Sequence, residues 1–169
     1  MKKVLVPVDG SHNAQHAVRH VINEIQQNGP IEVHLLNVQT PFSRHVAQFV
    51  NRKSRDSYRR DEAAKALKPI RRILDAANVT YSVHVEMGRK AEVITETARR
   101  LGCDHIVMAT ARKNSLTRML EASVTNRVVE LTTVPVEVIA GDAVSRVERF
   151  GIPIGVAGAI GLMLFAVVD

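Results

Sequence analysis

Three histidines could together bind a metal ion. His12, His16 and His20 recur every four residues in a segment that is predicted to be helical. This spacing places imidazoles on one face of a helix, where two of them can share a metal ion. The histidines lie away from the apolar positions of the same segment, however, and metal ligation is the less favoured alternative. We expect a solvated polar face and predict no metal site.

No other residue pattern indicates a catalytic centre. The sequence shows neither paired carboxylates nor a Ser-His-Asp constellation that could carry acid–base or nucleophilic chemistry. Its one cysteine, Cys103, is expected to be a buried structural thiol. A lone cysteine forms no intramolecular disulfide, so nothing points to an oxidising compartment. We therefore expect a protein that is not an enzyme, with phosphate hydrolysis as the least favoured alternative.

Apolar runs alternate with amphipathic segments over residues 1–140. Five runs rich in branched side chains predict strands: KKVLVPVDG, IEVHLLNVQ, TYSVHVEMG, DHIVMAT and VPVEVIAG. The segments between them have helical periodicity, with Ser11 as the N-cap of the first helix, DEAAKALKPIRRILDAANV from Asp61 as the second helix, and Gly102 as the stop of a later one. The alternation predicts an α/β fold with a five-stranded parallel sheet and helices on both faces.

Two loops are expected at the edge of this sheet where ligands bind. They are DGSHN after the first strand and ATARKNSLTR after the fourth. In open parallel sheets, ligands bind beyond the carboxyl ends of the strands, at the point where the strand order reverses.

Three segments resemble the universal stress protein family. They are VDGS after the first strand, the block GRKAEVITETARRLGCDHIVMAT, and the closing SVTNRVVELTTVPVEVIA, so the resemblance covers roughly residues 1–140. It implies a Rossmann-like topology and dimerisation through the last strand, here VPVEVIA. It also implies an ATP site, built from an Asp after the first strand, backbone contacts to adenine, and a G-x2-G-x9-G-[S/T] motif after the fourth strand.

Carried over residue by residue, the implied nucleotide site is degenerate. It falls on Asp9, Val38, Ala109, Arg112, Ala122 and Ser123. The final Ser keeps the family's residue, but all three glycines are replaced. Glycine lets backbone N–H groups approach a phosphate and adopts positive φ at low cost, whereas these side chains obstruct that approach. ATP binding is predicted to be weak or absent, and no cofactor is expected. The alternative is that Arg112, Lys113 and Arg118 hold phosphates by side-chain charge.

Residues 150–168, FGIPIGVAGAIGLMLFAVV, carry no charged or strongly polar side chain. Such a run predicts a single transmembrane helix, since it reaches about 28 Å at ~1.5 Å per residue. A sixth core helix is the alternative. Residues 141–149 are interpreted as a short basic linker, and its Arg146 and Arg149 place residues 1–140 in the cytoplasm, beneath the inner membrane. Four small residues predict a helix-packing face: Gly151, Gly155, Gly158 and Gly161.

The charge distribution favours an anionic partner. The formal charge is +6, and residues 44–72 contain ten Lys or Arg against three Asp or Glu. No nucleic-acid motif accompanies this charge, so lipid headgroups or an acidic protein surface are preferred.

We expect a noncatalytic, membrane-tethered binding module that contacts an integral membrane protein or its own copy. It would be an accessory or regulatory subunit of an inner-membrane transporter or respiratory complex. The alternative is a membrane-anchored stress sensor that binds ATP or AMP.

Overall fold

The computed structural model describes residues 1–41, 51–112 and 124–143. Their helices and strands follow in the order β1 (Lys2–Pro7), α1 (His12–Asn28), β2 (Ile31–Gln39), α2 (Arg52–Ala76), β3 (Tyr81–Met87), α3 (Lys90–Leu101), β4 (His105–Arg112) and β5 (Val136–Ala143). Residues 124–131 are also helical.

The strands form one parallel sheet in the order β3-β2-β1-β4-β5. From the central strand β1 the chain first builds outward through β2 and β3, then crosses to the other side and adds β4 and β5. The strand order therefore reverses between β1 and β4, which is the position where ligands bind in sheets of this kind. The predicted α/β fold with a five-stranded parallel sheet is confirmed.

Helices cover both faces of the sheet, as predicted. On one face α1 and α2 pack over Val4, Val6 and Val33. On the other face α3 and the helical residues 124–131 pack over Leu5 and Leu36. Because both faces are buried, the central strands β1 and β4 carry continuous apolar runs, Val4–Val6 and Ile106–Met108, whereas exposed and partly buried residues alternate along much of the edge strand β3.

Three elements extend further than the sequence predicts. The helix expected to start at Asp61 begins at Arg52, because the side chain of Asn51 accepts a hydrogen bond of 2.8 Å from the Ser54 amide and caps it. Strand β4 continues past Thr110 to Arg112, and β5 reaches Ala143, within the span assigned to the linker. The two strands extend together, since Arg112 pairs with Ala143.

The observed helix ends agree in part with those predicted from the sequence. Gly102 ends α3 with φ of +65°, as a C-terminal glycine does, and this prediction is confirmed. Ser11 occupies the N-cap position of α1, but its side chain makes no capping hydrogen bond. The helix instead begins in a turn in which the Ser11 amide donates to a carboxylate, described below.

Among residues 1–41, 51–112 and 124–143, no helix is both long and apolar enough to span a membrane. The membrane helix predicted at residues 150–168, its four glycines and Arg146 and Arg149 of the linker lie outside the residues that the structure describes.

Two histidines are paired across β2 and β3. His34 Nδ1 lies 3.1 Å from His84 Nε2, while His34 Nε2 lies 3.0 Å from Glu32 Oε1. Burial lowers the pKa of His84, and the neighbouring His34 and Arg100 lower it further. The folded protein therefore disfavours a positive charge on His84.

Acidification should destabilise the fold through this pair. The unfolded chain takes up a proton on His84 at a higher pH than the folded chain does, so the contribution is complete above about pH 6.5 and is lost as the pH falls below that value. Urea unfolding at about pH 7.5 and about pH 5.5 should show this loss, and it should be smaller in His84→Gln, which keeps an N–H donor. An equal loss in His84→Gln and in the exposed control His12→Gln would contradict the assignment.

Candidate functional site

A cavity opens at the carboxyl ends of β1 and β4, where the strand order reverses. Its volume is about 250 Å³. Its apolar wall is formed by Val8, Ala14, Leu36, Val38, Ile94, Met108, Ala109 and Val124. A few polar side chains interrupt that wall, namely those of Asp9, Ser11, Asn13, Lys90 and Thr125. An apolar wall with a few polar groups is typical of a small-molecule site.

A second, more polar cavity of about 350 Å³ adjoins the first. Asp9, Val38 and Lys90 line both cavities, so they stand at the junction. Lys65 also lines the second cavity, but its Nζ lies 2.8 Å from Glu62 Oε1, which compensates its charge. The helices α1 and α3 both begin at this edge of the sheet, and their positive dipole ends favour an anionic or electron-rich ligand here.

Asp9 is positioned by the end of β2. The Val8 amide donates to the Leu36 carbonyl at 2.7 Å, and Asn37 Nδ2 donates to the Val8 carbonyl at 2.7 Å. Asn37 itself is buried. Beyond this anchored point, Asp9 Oδ1 accepts a 2.9 Å hydrogen bond from the Ser11 amide. Asp9 is exposed, so its carboxylate is held in a fixed turn and is accessible to a ligand.

Gly10 is required by this turn. Its φ is +83°, which side chains rarely adopt, and a Cβ there would lie 3.2 Å from the Cα and Cβ of Ala66. The glycine after Asp9 thus allows α2 to approach the loop closely.

The structure brings together three of the six predicted site residues. Asp9, Val38 and Ala109 line the same cavity. Ala109 and Arg112 lie in β4 and not in the loop that the sequence predicts from Ala109 onward, because pairing with β5 extends the strand. Ala122 and Ser123, and the basic residues after Arg112, lie outside the described residues.

Sequence reasoning missed Asn37, Asn13 and Lys90. Asn37 could have been found, since it is the one amide in the strongly apolar part of β2 and a buried amide needs partners. Asn13 is recognisable only in three dimensions: its side chain packs against Gly141 of β5, where a Cβ would also lie 2.7 Å from the Thr110 carbonyl oxygen.

Cys103 is buried, as expected, at the start of β4. Burial raises the pKa of its thiol, which disfavours the reactive thiolate. It lines neither of the two cavities.

The sheet order and its helices define a Rossmann-like α/β fold, and comparisons with known proteins agree. The model of the universal stress protein family matches residues 1–140. Universal stress protein MJ0531 of Methanocaldococcus jannaschii is 32% identical over 146 residues, which cover 82% of this chain and 81% of that protein. The chain therefore belongs to the universal stress protein family.

Solved structures share the fold. Protein MJ0577 is 27% identical, with a TM-score of 0.68 over 85% of this chain and 98% of that one. A universal stress protein family protein from Arabidopsis thaliana, solved with AMP bound, is 18% identical, with a TM-score of 0.61 over 85% of this chain and 94% of that one.

Replacing Asn37 should destabilise the folded protein, because Asn37 anchors the end of β1 next to the site. Asn37→Ala leaves the buried Val8 carbonyl without its side-chain donor, and we expect the free energy of unfolding to fall by about 1–3 kcal/mol. Urea unfolding measures this loss. The control is Gln39→Ala, since Gln39 contacts Asn37 but is only partly buried and should cost less. Equal stability of Asn37→Ala and the parent chain would show that the contact does not anchor β1.

Proposed function

We propose that this chain is a noncatalytic binding module whose cleft takes an adenine nucleotide chiefly through its nucleoside part. One observation carries the proposal: Asp9, Val38 and Ala109 meet in a mostly apolar cavity at the switch point of the sheet. Membership of the universal stress protein family supports the choice of ligand class.

The cavity suits a base and a ribose. A planar heterocycle can be buried against side chains such as Val38, Ile94 and Met108, which gives hydrophobic stabilisation without specific polar partners. The Asp9 carboxylate is an acceptor for ribose hydroxyls, and such charge-assisted hydrogen bonds are stronger than neutral ones. Asp9 stands at the junction of the two cavities, so it can hold the sugar between them.

The phosphate groups should contribute less to the binding free energy than the base and the ribose do. The family's three glycines are replaced, and the methyl group of Ala109 lines the cavity where a bare backbone would otherwise approach the ligand. Lys90, the first residue of α3, is exposed and offers one positive charge at the junction. A nucleotide with a single phosphate, like the AMP held by the Arabidopsis thaliana protein, suits this arrangement better than ATP does.

Binding without turnover fits the described lining. Among the described residues of the first cavity, Asp9 is the sole carboxylate and no histidine is present, so a general acid and a general base do not face each other there. The module would therefore report on a ligand rather than convert it.

Asp9 should control ligand binding. Asp9→Asn keeps the size of the side chain but removes its charge, and we expect the affinity for adenosine and for AMP to fall by about tenfold to a hundredfold. Calorimetry on the purified chain measures both affinities. Glu96→Gln, which neutralises an exposed carboxylate of α3 outside both cavities, should bind like the parent. Undiminished binding by Asp9→Asn, or no binding of adenosine by the parent, would refute the proposal.

A second function is favoured by the sequence after residue 149. We propose that residues 150–168 tether the module to the inner membrane, with residues 1–140 in the cytoplasm, as an accessory or regulatory subunit of a transporter or respiratory complex. The support is the uncharged run itself, preceded by Arg146 and Arg149. The partner would be an integral membrane protein, contacted through the small residues from Gly151 to Gly161, or a second copy. In support of a dimer, β5 is an edge strand and carries the exposed Val138.

Membrane fractionation tests this tether. We expect the full chain to remain with membranes after an alkaline wash, and a chain that ends at residue 149 to become soluble. Gly155→Leu is the matched control, because it keeps the run apolar and should stay with membranes while weakening copurification of the partner. The proposal fails if the shortened chain stays in the washed membranes, or if the full chain is released.

A further inference from the structure

Three side chains of metal-ligand type meet where α1 packs on β5. His20 Nε2 lies 2.8 Å from Glu137 Oε1. Glu24 joins them, and one ligand atom from each of the three residues lies within 4.8 Å of the others. All three are partly buried, and none of them lines the two cavities of the cleft. The cluster is therefore separate from the cleft proposed to bind the nucleotide.

His20 lies in a different environment from the one predicted. A solvated polar face was expected, but His20 contacts the edge strand β5. Glu24, which was not among the predicted ligands, follows His20 by four residues, so the helix presents both side chains on the same face. Glu137 comes from the far end of the chain and reaches the helix only because β5 lies beside β4.

One of the two carboxylate charges in the cluster is not compensated by Lys2, which favours the binding of a cation. Lys2 Nζ lies 3.1 Å from Glu24 Oε1 and compensates one of the two carboxylates. The other oxygen, Glu24 Oε2, is shielded from solvent and accepts no hydrogen bond from the residues that the structure describes. A shielded carboxylate oxygen without a partner is unfavourable, and a bound cation would satisfy it.

The contact between His20 and Glu137 is close but poorly aligned for a hydrogen bond. Its 2.8 Å separation is that of a strong ion pair, yet among the described parts of the chain His20 Nε2 has no hydrogen-bond partner of acceptable geometry. At this separation the two atoms would share a proton as an ion pair, and they would have to move apart to about 3.4 Å to hold a metal ion between them. Titration with Zn²⁺ distinguishes the ion pair from a metal site.

We propose that His20, Glu24 and Glu137 bind one divalent transition-metal ion, of which Zn²⁺ is the best fit. One imidazole nitrogen and two carboxylate oxygens suit Zn²⁺ better than they suit Mg²⁺ or Ca²⁺, which prefer oxygen ligands alone. Three protein ligands leave a fourth tetrahedral position for water. Tetrahedral ligand atoms lie about 3.4 Å apart, so side-chain rotations alone could bring the three ligand atoms to that spacing. The ion would clamp α1 to the edge strand β5.

The test is a titration of the full chain, freed of metal with a chelator and kept in mild detergent, with Zn²⁺ in a calorimeter. We expect one site per chain that involves this cluster. His20→Gln and Glu137→Gln should each lower the affinity by more than about tenfold, since loss of an outer-shell contact alone costs that much at known sites. The same concentration of Zn²⁺ should raise the melting temperature of the parent chain by more than that of either variant.

His84→Gln is the matched control, because His84 belongs to the other histidine cluster, with His34 and Glu32. It should bind Zn²⁺ like the parent. Without metal, His20→Gln and Glu137→Gln should give the circular dichroism spectrum of the parent, which shows that they fold. Zn²⁺ binding that is absent in the parent, as tight in both variants as in the parent, or lost only in His84→Gln would overturn the assignment, and absence would leave His20 and Glu137 as an ion pair.

Discussion

The burial of β1 on both faces is the constraint on which the rest of this structure depends. Val4, Leu5 and Val6 have no exposed surface, and alternate side chains of this strand belong to the two opposite cores. A strand in that position must pair on both sides, with β2 and with β4, and its connections must leave at the ends of the sheet. The chain after β1 therefore emerges where the strand order reverses, and Asp9 stands at the mouth of the cleft for that reason.

The fold was predictable because its signals are local, whereas the residues that position the site are recognisable only through contacts. Runs of branched residues predicted all five strands, and Gly102 marked the end of α3. The start of α2 was missed because the first turns are charged and lack apolar periodicity; Asn51 and ion pairs such as Asp56–Arg59 stabilise them instead. Within the site, the resemblance to the family predicted Asp9 and Val38, whereas no sequence motif indicated Asn37.

The part of the cleft suited to a base and a ribose is formed, whereas the family's residues for the phosphates are replaced. The described part is a formed, mostly apolar cavity with a carboxylate in a fixed turn, which is the part that would take a base and a ribose. The family's glycines for the phosphates are absent from the sequence. A module of this kind would recognise the nucleoside and tolerate changes in the phosphates. In the proposal, residues 150–168 would hold such a reporter at the inner membrane, while the metal ion proposed between α1 and β5 would fix the edge strand through which a second copy could pair.

The most direct test of this account compares the affinities of adenosine, AMP and ATP for the same preparation of the full chain. If the nucleoside carries the binding, the three dissociation constants should agree within about tenfold, or 1.4 kcal/mol. Charge-assisted contacts to phosphates contribute about 1.5–3 kcal/mol each, so an intact phosphate site would separate the ligands widely. ATP binding more than about a hundredfold tighter than adenosine would contradict the account and show that side-chain charges replace the missing glycines.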